Sequence, residues 1–274
     1  MESLKPELHI TQRRDQHKMK LSQYNVWLLC FCLAAGVGAD ELTHPFKARQ
    51  VVDLTHPLHQ DMPFWPGTAP FVMERLADYD QGYRMHRFSM WENIGTHVDA
   101  PAHFAEGGRS VTELAPNDLV VPLAVIDARA QAAQDDDYRL SVEDVLAWER
   151  QHGRVAPGSL VVMHTGWYKK FSDPKAYINQ DEAGVLHFPG FSVASAELLL
   201  ERDTAGIGID TLSLDPGNDL SFPVHKIMLG AGKFQVENLN NLDSLPATGA
   251  VAVIGILPVT DSSQAQARVF AFME

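Results

Sequence analysis

Apolar positions along the 274-residue chain fall into blocks with two spacings. Residues 51–54, 119–128 (LVVPLAVIDA), 159–164 (SLVVMH), 206–211 (GIGIDT), Phe234–Glu237 and 251–257 (VAVIGIL) are short, apolar-rich runs bounded by turn residues, and they predict strands, several of them buried on both faces. Residues 87–99 also read as strand, ended by Pro101, and Pro122 marks a bulge within 119–128. Helical spacing replaces this pattern in three places. Ser141, with Asp144 three residues on and Val142, Val145 and Leu146 following, opens a capped helix. Ser192 opens a second over 193–202. Pro223 opens a short third over 224–229, which the glycines of 230–232 end. Two prolines stiffen an aromatic loop at 62–67, and 215–218 (DPGN) is a turn. Strands and helices mix without strict βαβ alternation, and no repeat or flexible linker divides them. The fold class is therefore α+β (mixed α/β): a single domain with a central mixed β-sheet and flanking helices.

One apolar block does not belong to that pattern. Residues 26–37 (VWLLCFCLAAGV) are too few to span a bilayer, which needs about 20. Lys18 and Lys20 precede them, and Val37-Gly38-Ala39 follows with small residues, which is the layout of a secretory signal. Residues 1–39 are thus expected to be an N-terminal extension and signal peptide, with Met19 a more usual start. Residues 40–274 are expected to be the folded domain, periplasmic or secreted, without stable membrane insertion after cleavage. Cys30 and Cys32 both lie in the removed segment, so the mature domain has neither disulfide nor thiol chemistry. A net charge of −13 argues against nucleic acid and anionic membranes as partners and leaves a small-molecule substrate.

The chemistry concentrates in Asn93-Ile94-Gly95-Thr96-His97-Val98-Asp99-Ala100-Pro101-Ala102-His103. Gly95 and Pro101 disfavour a helix. In an extended chain the odd-numbered Asn93, His97, Asp99 and His103 share one face. Two imidazoles, a carboxylate and an amide oxygen then converge, a donor set suited to Zn²⁺ or Mn²⁺. Any one of these histidines is more readily a satisfied polar residue. Burying the set together is costly without a cation. His86 lies on the opposite strand parity and points away. His225, on the short helix, and Glu237, on the strand after it, form a second pair that matters only if it faces the first.

The run GTHVDAPAHF, with GIDTLSLDPG downstream and FPVH followed twelve residues later by Glu237 in VENL, resembles the metal-dependent cyclase family. That family includes bacterial kynurenine formamidases, isatin hydrolases and trans-dienelactone hydrolases. The likeness runs from Val52-Asp53-Leu54-Thr55-His56 to Ile256-Leu257-Pro258-Val259. It implies a swivelling β/β/α-like fold, one or two divalent ions (Zn²⁺ or Mn²⁺) and a homo-oligomer. It further implies that His97 and Asp99 hold a first metal, that Asp99 bridges to a second held by His225 and Glu237, and that His103 is the general base or acid. Phe64 and Trp65 match a loop that supplies aromatic substrate contacts. One position departs from the motif: Asn93 stands where the family has His, and an amide oxygen is a poorer zinc ligand than imidazole.

The expected reaction is attack of a metal-activated water on an amide, lactam or lactone carbonyl. An aryl formamide of the N-formylkynurenine type is the first choice of substrate, and a cyclic amide or lactone of the isatin or dienelactone type is the alternative. A reading of another class, a non-catalytic metal or small-molecule binding protein, rests on Asn93 alone. Serine catalysis has little support, because the nearest approach to Gly-x-Ser-x-Gly, at Ser192, departs at its last position and Ser192 caps a helix. Asp210 and Asp215 read as polar groups that hydrogen-bond the turn after a strand, and His164 as a satisfied core histidine.

Overall fold

The computed structural model describes residues 50–273. The signal segment expected over 1–39 lies outside the described residues. Twelve strands follow in chain order: β1 (Gln50–Asp53), β2 (Val72–Ala77), β3 (Met85–Ser89), β4 (His97–Asp99), β5 (Val120–Asp127), β6 (Arg139–Leu140), β7 (Leu160–His164), β8 (Gly190–Phe191), β9 (Gly206–Ile209), β10 (Phe234–Glu237), β11 (Val251–Ile256) and β12 (Gln264–Met273). The helices are α1 (Arg129–Ala132), α2 (Val142–His152), α3 (Pro174–Ile178), α4 (Val193–Glu201) and α5 (Pro223–Gly230).

Eight strands form one mixed sheet in the order β1-β12-β11-β5-β7-β9-β10-β4. β5, β7, β9 and β10 run parallel, while β11, β12 and β4 join antiparallel. β4 pairs with both β10 and β12, so seven of the strands close into a ring and β1 flanks it. Closure removes the exposed edges that an open sheet of this length would carry.

Strand alternation distributes the side chains between two cores. Val121, Leu123, Val125, Leu160, Val162, Phe234, Val236 and Val98 point inside the ring with Ala265 and Val269. Ala124, Ile126, Val161, Met163, Ile207 and Ile209 point outward and meet Trp148 of α2, Leu199 of α4 and Val224 and Met228 of α5. This is why β5, β7 and β9 are apolar at nearly every position: both of their faces are covered. On β4 and β10 the inner face is apolar and the outer face is not. His97 and Asp99 flank inward Val98, and Gln235 and Glu237 flank inward Val236.

The capped helices form where the sequence expects them. Ser141 and Asp144 make a reciprocal capping box on α2, and Ser192 Oγ accepts the Ser195 amide of α4 at 3.1 Å. Three expectations are corrected. Residues 87–99 are not one strand: β3 ends at Ser89 and a loop leads to β4. Gly95, in the left-handed region at φ 67°, breaks the extended run. No strand was expected after 251–257, yet β12 follows it and is the longest among the described residues. β2 was not expected at all, and it pairs with β3 as a hairpin whose side chains are mostly exposed.

Candidate metal centre and active site

The register places the site. Glu237 lies directly opposite His97 across the β10–β4 pair, and Asp99 lies opposite both Gln235 and Gln264. All project from the outer face of the ring. Helix α5 packs over that face and brings His225 down from its first turn. His97, Asp99, Glu237 and His225 are each at most 4% exposed.

The two imidazoles and two carboxylates interlock. His97 Nε2 lies 3.2 Å from Asp99 Oδ1 and 3.3 Å from Glu237 Oε2. His225 Nε2 lies 3.3 Å from Asp99 Oδ2 and 3.1 Å from Glu237 Oε1. Each carboxylate therefore offers one oxygen to each ring. Glu237, expected beside His225, faces His97 as well, so both carboxylates lie between the two histidines.

The outer nitrogen of each ring fixes its orientation. His97 Nδ1 is 2.9 Å from the Gly95 carbonyl, and His225 Nδ1 is 2.6 Å from Asp215 Oδ2. With the proton on Nδ1 in both, both Nε2 lone pairs aim at the carboxylates. Asp215 also accepts the Val224 and His225 amides at 2.8 and 3.1 Å, which satisfies the start of α5. The sequence reading of Asp215 as a turn residue missed that it also orients His225. Asp210 does not bond its own turn but the loop after β7, accepting from Thr165 N and Oγ1 at 2.9 and 2.7 Å. His164 is buried, and its Nε2 faces Asp243 Oδ1 at 3.3 Å without a hydrogen bond.

The donor set fits a divalent cation on three counts. His97 Nε2 and Asp99 Oδ2 are buried without any hydrogen-bond partner, although charged neighbours lie within 3.3 Å. The separations of 3.1–3.3 Å match the edge of a tetrahedron with bonds of about 2.0 Å, which is ~3.3 Å. One atom each from His97, Asp99 and Glu237 lie within 4.8 Å of one another. Charge agrees. Burial alone would lower the His97 pKa, but the carboxylates of Asp99 and Glu237 outweigh it and raise it to about 10. His225 is raised in the same way by Asp215, Asp99 and Glu237 against its burial. Two buried carboxylates demand positive charge, and protons supply it where a cation does not.

The cluster opens onto a cavity of about 200 Å³ whose wall includes Trp65, Phe104, Phe222 and His103. A wider recess of about 600 Å³ shares Asn93, His103 and Gln264 with it. His103 thus stands where the two spaces meet. It projects from the single turn Pro101–His103, not from the strand, and its ring is edge-on to Phe104 at 4.7 Å. Burial holds its pKa below the usual histidine value, so the ring is neutral near pH 7. Asn93 lies in the loop before β4 and lines both spaces; the shared strand face expected for it does not form. Trp65 lines the cavity and packs on Phe222 at 5.9 Å. Phe64 does not line it; it packs against the Met62, Phe71 and Phe188 cluster. Sequence reasoning also missed Gln264, whose Nε2 donates to Asp99 Oδ1 at 2.7 Å. It lies on the strand that carried no recognised pattern.

Residues 52–216, more than half of the chain, match the cyclase family model. An isatin hydrolase from Roseibium aggregatum is 31% identical over 258 residues, covering 87% of this chain and 96% of that one. A kynurenine formamidase from Bacillus cereus is 26% identical over 230 residues, covering 81% and 97%. The solved structure of isatin hydrolase A from Ralstonia solanacearum superposes with a TM-score of 0.78 at 35% identity, covering 82% of this chain and 92% of that one. The chain belongs to the cyclase family. It is a hydrolase of the metal-dependent class, and among the described residues His97, Asp99 and Glu237 form a trio that could hold a metal ion.

Asn93 gives a direct test of the trio. Asn93→His adds an imidazole beside the cluster and is expected to tighten zinc binding by at least about tenfold. Competitive titration against a fluorescent chelator measures it, and unchanged affinity would place residue 93 outside the coordination sphere.

Proposed function

We propose that this chain hydrolyses the carbon–nitrogen bond of a small aromatic amide, with a cyclic amide of the isatin type preferred. The observation that carries the reading is the junction of the buried His97, Asp99, Glu237 and His225 cluster with an aromatic-walled cavity at whose mouth His103 stands. A volume of about 200 Å³ is below the usual ~300–1,000 Å³ of drug-sized sites and suits one or two fused rings. The order of substrates differs from the sequence expectation, which put the aryl formamide first. The isatin hydrolase is the more similar of the two relatives, at 31% against 26% identity. The formamide stays as the second reading on the strength of the kynurenine formamidase.

His97, Asp99, His225 and Glu237 would hold one or two divalent ions, Zn²⁺ or Mn²⁺. A cation there supplies Lewis acidity, lowering the pKa of water and polarising the scissile carbonyl. The chain's own residues do the rest. Neutral His103 accepts a proton from the attacking water as its oxygen bonds to the carbonyl carbon. The same ring returns the proton to the amide nitrogen as the carbon–nitrogen bond breaks, so one water is consumed and no protein nucleophile is used. Trp65, Phe104 and Phe222 hold the ring and exclude bulk water, which strengthens every charge interaction inside.

A hydrolysis panel of isatin, N-formylkynurenine and a dienelactone, each with Zn²⁺ and with Mn²⁺, tests the reading. Isatin is expected to give the largest kcat/KM. Metal retained without turnover of any of the three would instead make the protein a binder on the same fold.

Two further parts of this reading concern where the protein acts and in what form. Export to the periplasm or beyond is supported by the apolar block at 26–37 with its flanking lysines, and the N-terminal residue of protein recovered from its producing cell tests it. A homo-oligomer is supported by the β2–β3 hairpin, which leaves Val72, Met73, Leu76, Met85 and Phe88 exposed. A monomer mass by light scattering would contradict it.

A further inference from the structure

We infer that Asn238 is a positioning residue for the cation site: its side-chain amide, acting through the Gly95 carbonyl, holds His97 in the tautomer and tilt that aim Nε2 at Asp99 and Glu237. This rests on the metal-centre reading above and goes beyond it.

Asn238 follows Glu237 at the end of β10, is buried, and stands in the left-handed region at φ 54°. Its backbone N–H donates to the Thr211 carbonyl at 3.0 Å, its carbonyl accepts from Thr96 Oγ1 at 2.6 Å, and its Nδ2 donates to the Gly95 carbonyl at 3.1 Å. The last two bonds reach the two residues just before His97. Gly95 is itself left-handed at φ 67°, and the conformational freedom of glycine leaves the direction of its carbonyl weakly set. That carbonyl also accepts from His97 Nδ1 at 2.9 Å. With Asn238 Nδ2 on one lone pair and His97 Nδ1 on the other, the peptide cannot turn without losing both bonds. A proton is thereby kept on His97 Nδ1, and Nε2 keeps its lone pair for a cation.

The amide's own orientation is fixed from behind. A carbonyl only accepts, so Nδ2 faces Gly95 and Oδ1 faces the other way, where the Tyr177 hydroxyl lies 2.9 Å off. Tyr177 is fully buried, and its hydroxyl is also 2.9 Å from the Asp210 carbonyl. Position 238 therefore needs a side chain that donates on one side, accepts on the other and tolerates a positive φ. Asparagine meets all three demands, whereas an ionised aspartate has no donor and glycine has no side chain. The two imidazoles of the cluster are thus held differently. His225 is held by the carboxylate of Asp215, and His97 by a neutral carbonyl that needs a second donor to stay in place.

The experiment compares wild type with three variants of the full chain. Asn238→Gly keeps the positive φ and the backbone bonds and removes only the amide. Asn238→Asp keeps the shape and the acceptor for Tyr177 but loses the donor. Tyr177→Phe removes the bond behind and leaves Nδ2 on Gly95. Zn²⁺ affinity is read by competition with a chromophoric chelator, and hydrogen exchange of the histidine Nδ1–H protons by NMR, with and without Zn²⁺. Both Asn238 variants are expected to bind Zn²⁺ about 10- to 100-fold more weakly. In both, the His97 Nδ1–H exchanges at least about tenfold faster, while that of His225, held by Asp215, stays within about twofold of wild type. Tyr177→Phe lowers Tm but keeps the His97 signal and a Zn²⁺ affinity within about threefold. Zn²⁺ affinity within about threefold of wild type in both Asn238 variants overturns the assignment. So does His97 protection retained in Asn238→Asp, or an equal loss at His97 and His225, which a merely loosened fold would give. The metal-centre reading fails separately: wild type that binds no divalent cation sinks it, while exchange at His97 in the metal-free protein still tests Asn238.

Discussion

Asp99→Ala is expected to weaken divalent-cation binding by at least about a thousandfold and to take hydrolysis down with it. Asp99 is fully buried, and like Glu237 it offers one oxygen to His97 and the other to His225. Its loss leaves two imidazoles facing Glu237 alone and strands the Gln264 amide that donates to it. Metal content after dialysis, read by mass spectrometry, checks the first part, and kcat/KM on isatin the second. Full metal retention by this variant would move the centre away from Asp99. The cation's effect on stability has a pH signature. His97 is raised from 6.5 to about 10 when only protons neutralise the carboxylates. A raised histidine contributes stability that is fully present below its unfolded value and is lost as pH climbs through the folded one. Metal-free protein should therefore lose Tm between about pH 6.5 and 10, while metal binding, no longer opposed by that proton, strengthens over the same window. The Tm gain on adding Zn²⁺ or Mn²⁺ is expected to grow from pH 6.5 to pH 9, and a gain that is flat or falls with pH would count against these ligands.

His103→Ala is the second large effect, and it separates chemistry from binding. The ring contacts neither carboxylate of the cluster closely enough to be a ligand, and its nearest aromatic neighbours are Phe104 at 4.7 Å and His225 at 6.1 Å. Truncation should leave metal content within error of wild type and lower kcat/KM by about 10² to 10⁴, the span of a lost general base. Burial holds its pKa below the ordinary histidine value. The acid limb of the wild-type kcat/KM profile should therefore fall below about pH 6.5 and vanish in the variant. Near-normal turnover with the metal in place would remove His103 from the proton path.

How much of this was readable from the chain depends on how local each signal is. The segment from Gly95 to His103 announces its chemistry because its residues are close in sequence, and spacing alone brings their side chains near one another. The face they share was misread. Alternation assumed an unbroken strand from Asn93, but Gly95 turns left-handed and Pro101 starts a tight turn, so only His97 and Asp99 keep strand parity. Asn93 and His103 reach the cavity from a loop and a turn. Phe64 and Trp65 are adjacent in an apolar loop, and nothing local says which ring enters the cavity and which the core.

By itself, then, the order of residues determined the apolar strands that build the ring, the capped helices that cover it, and the donor types gathered near His97. Each follows from forces that act within a few positions: strand and helix periodicity, capping, and the turn chemistry of glycine and proline. Tertiary structure alone decided that Glu237 stands across from His97, that Gln264 braces Asp99 from an unrecognised strand, and that Asp215 orients His225 from ten residues away. The first two are matters of register and closure: they depend on which strands pair across more than a hundred residues, and that choice is made by packing of the whole ring, whose free energy no short window of sequence contains.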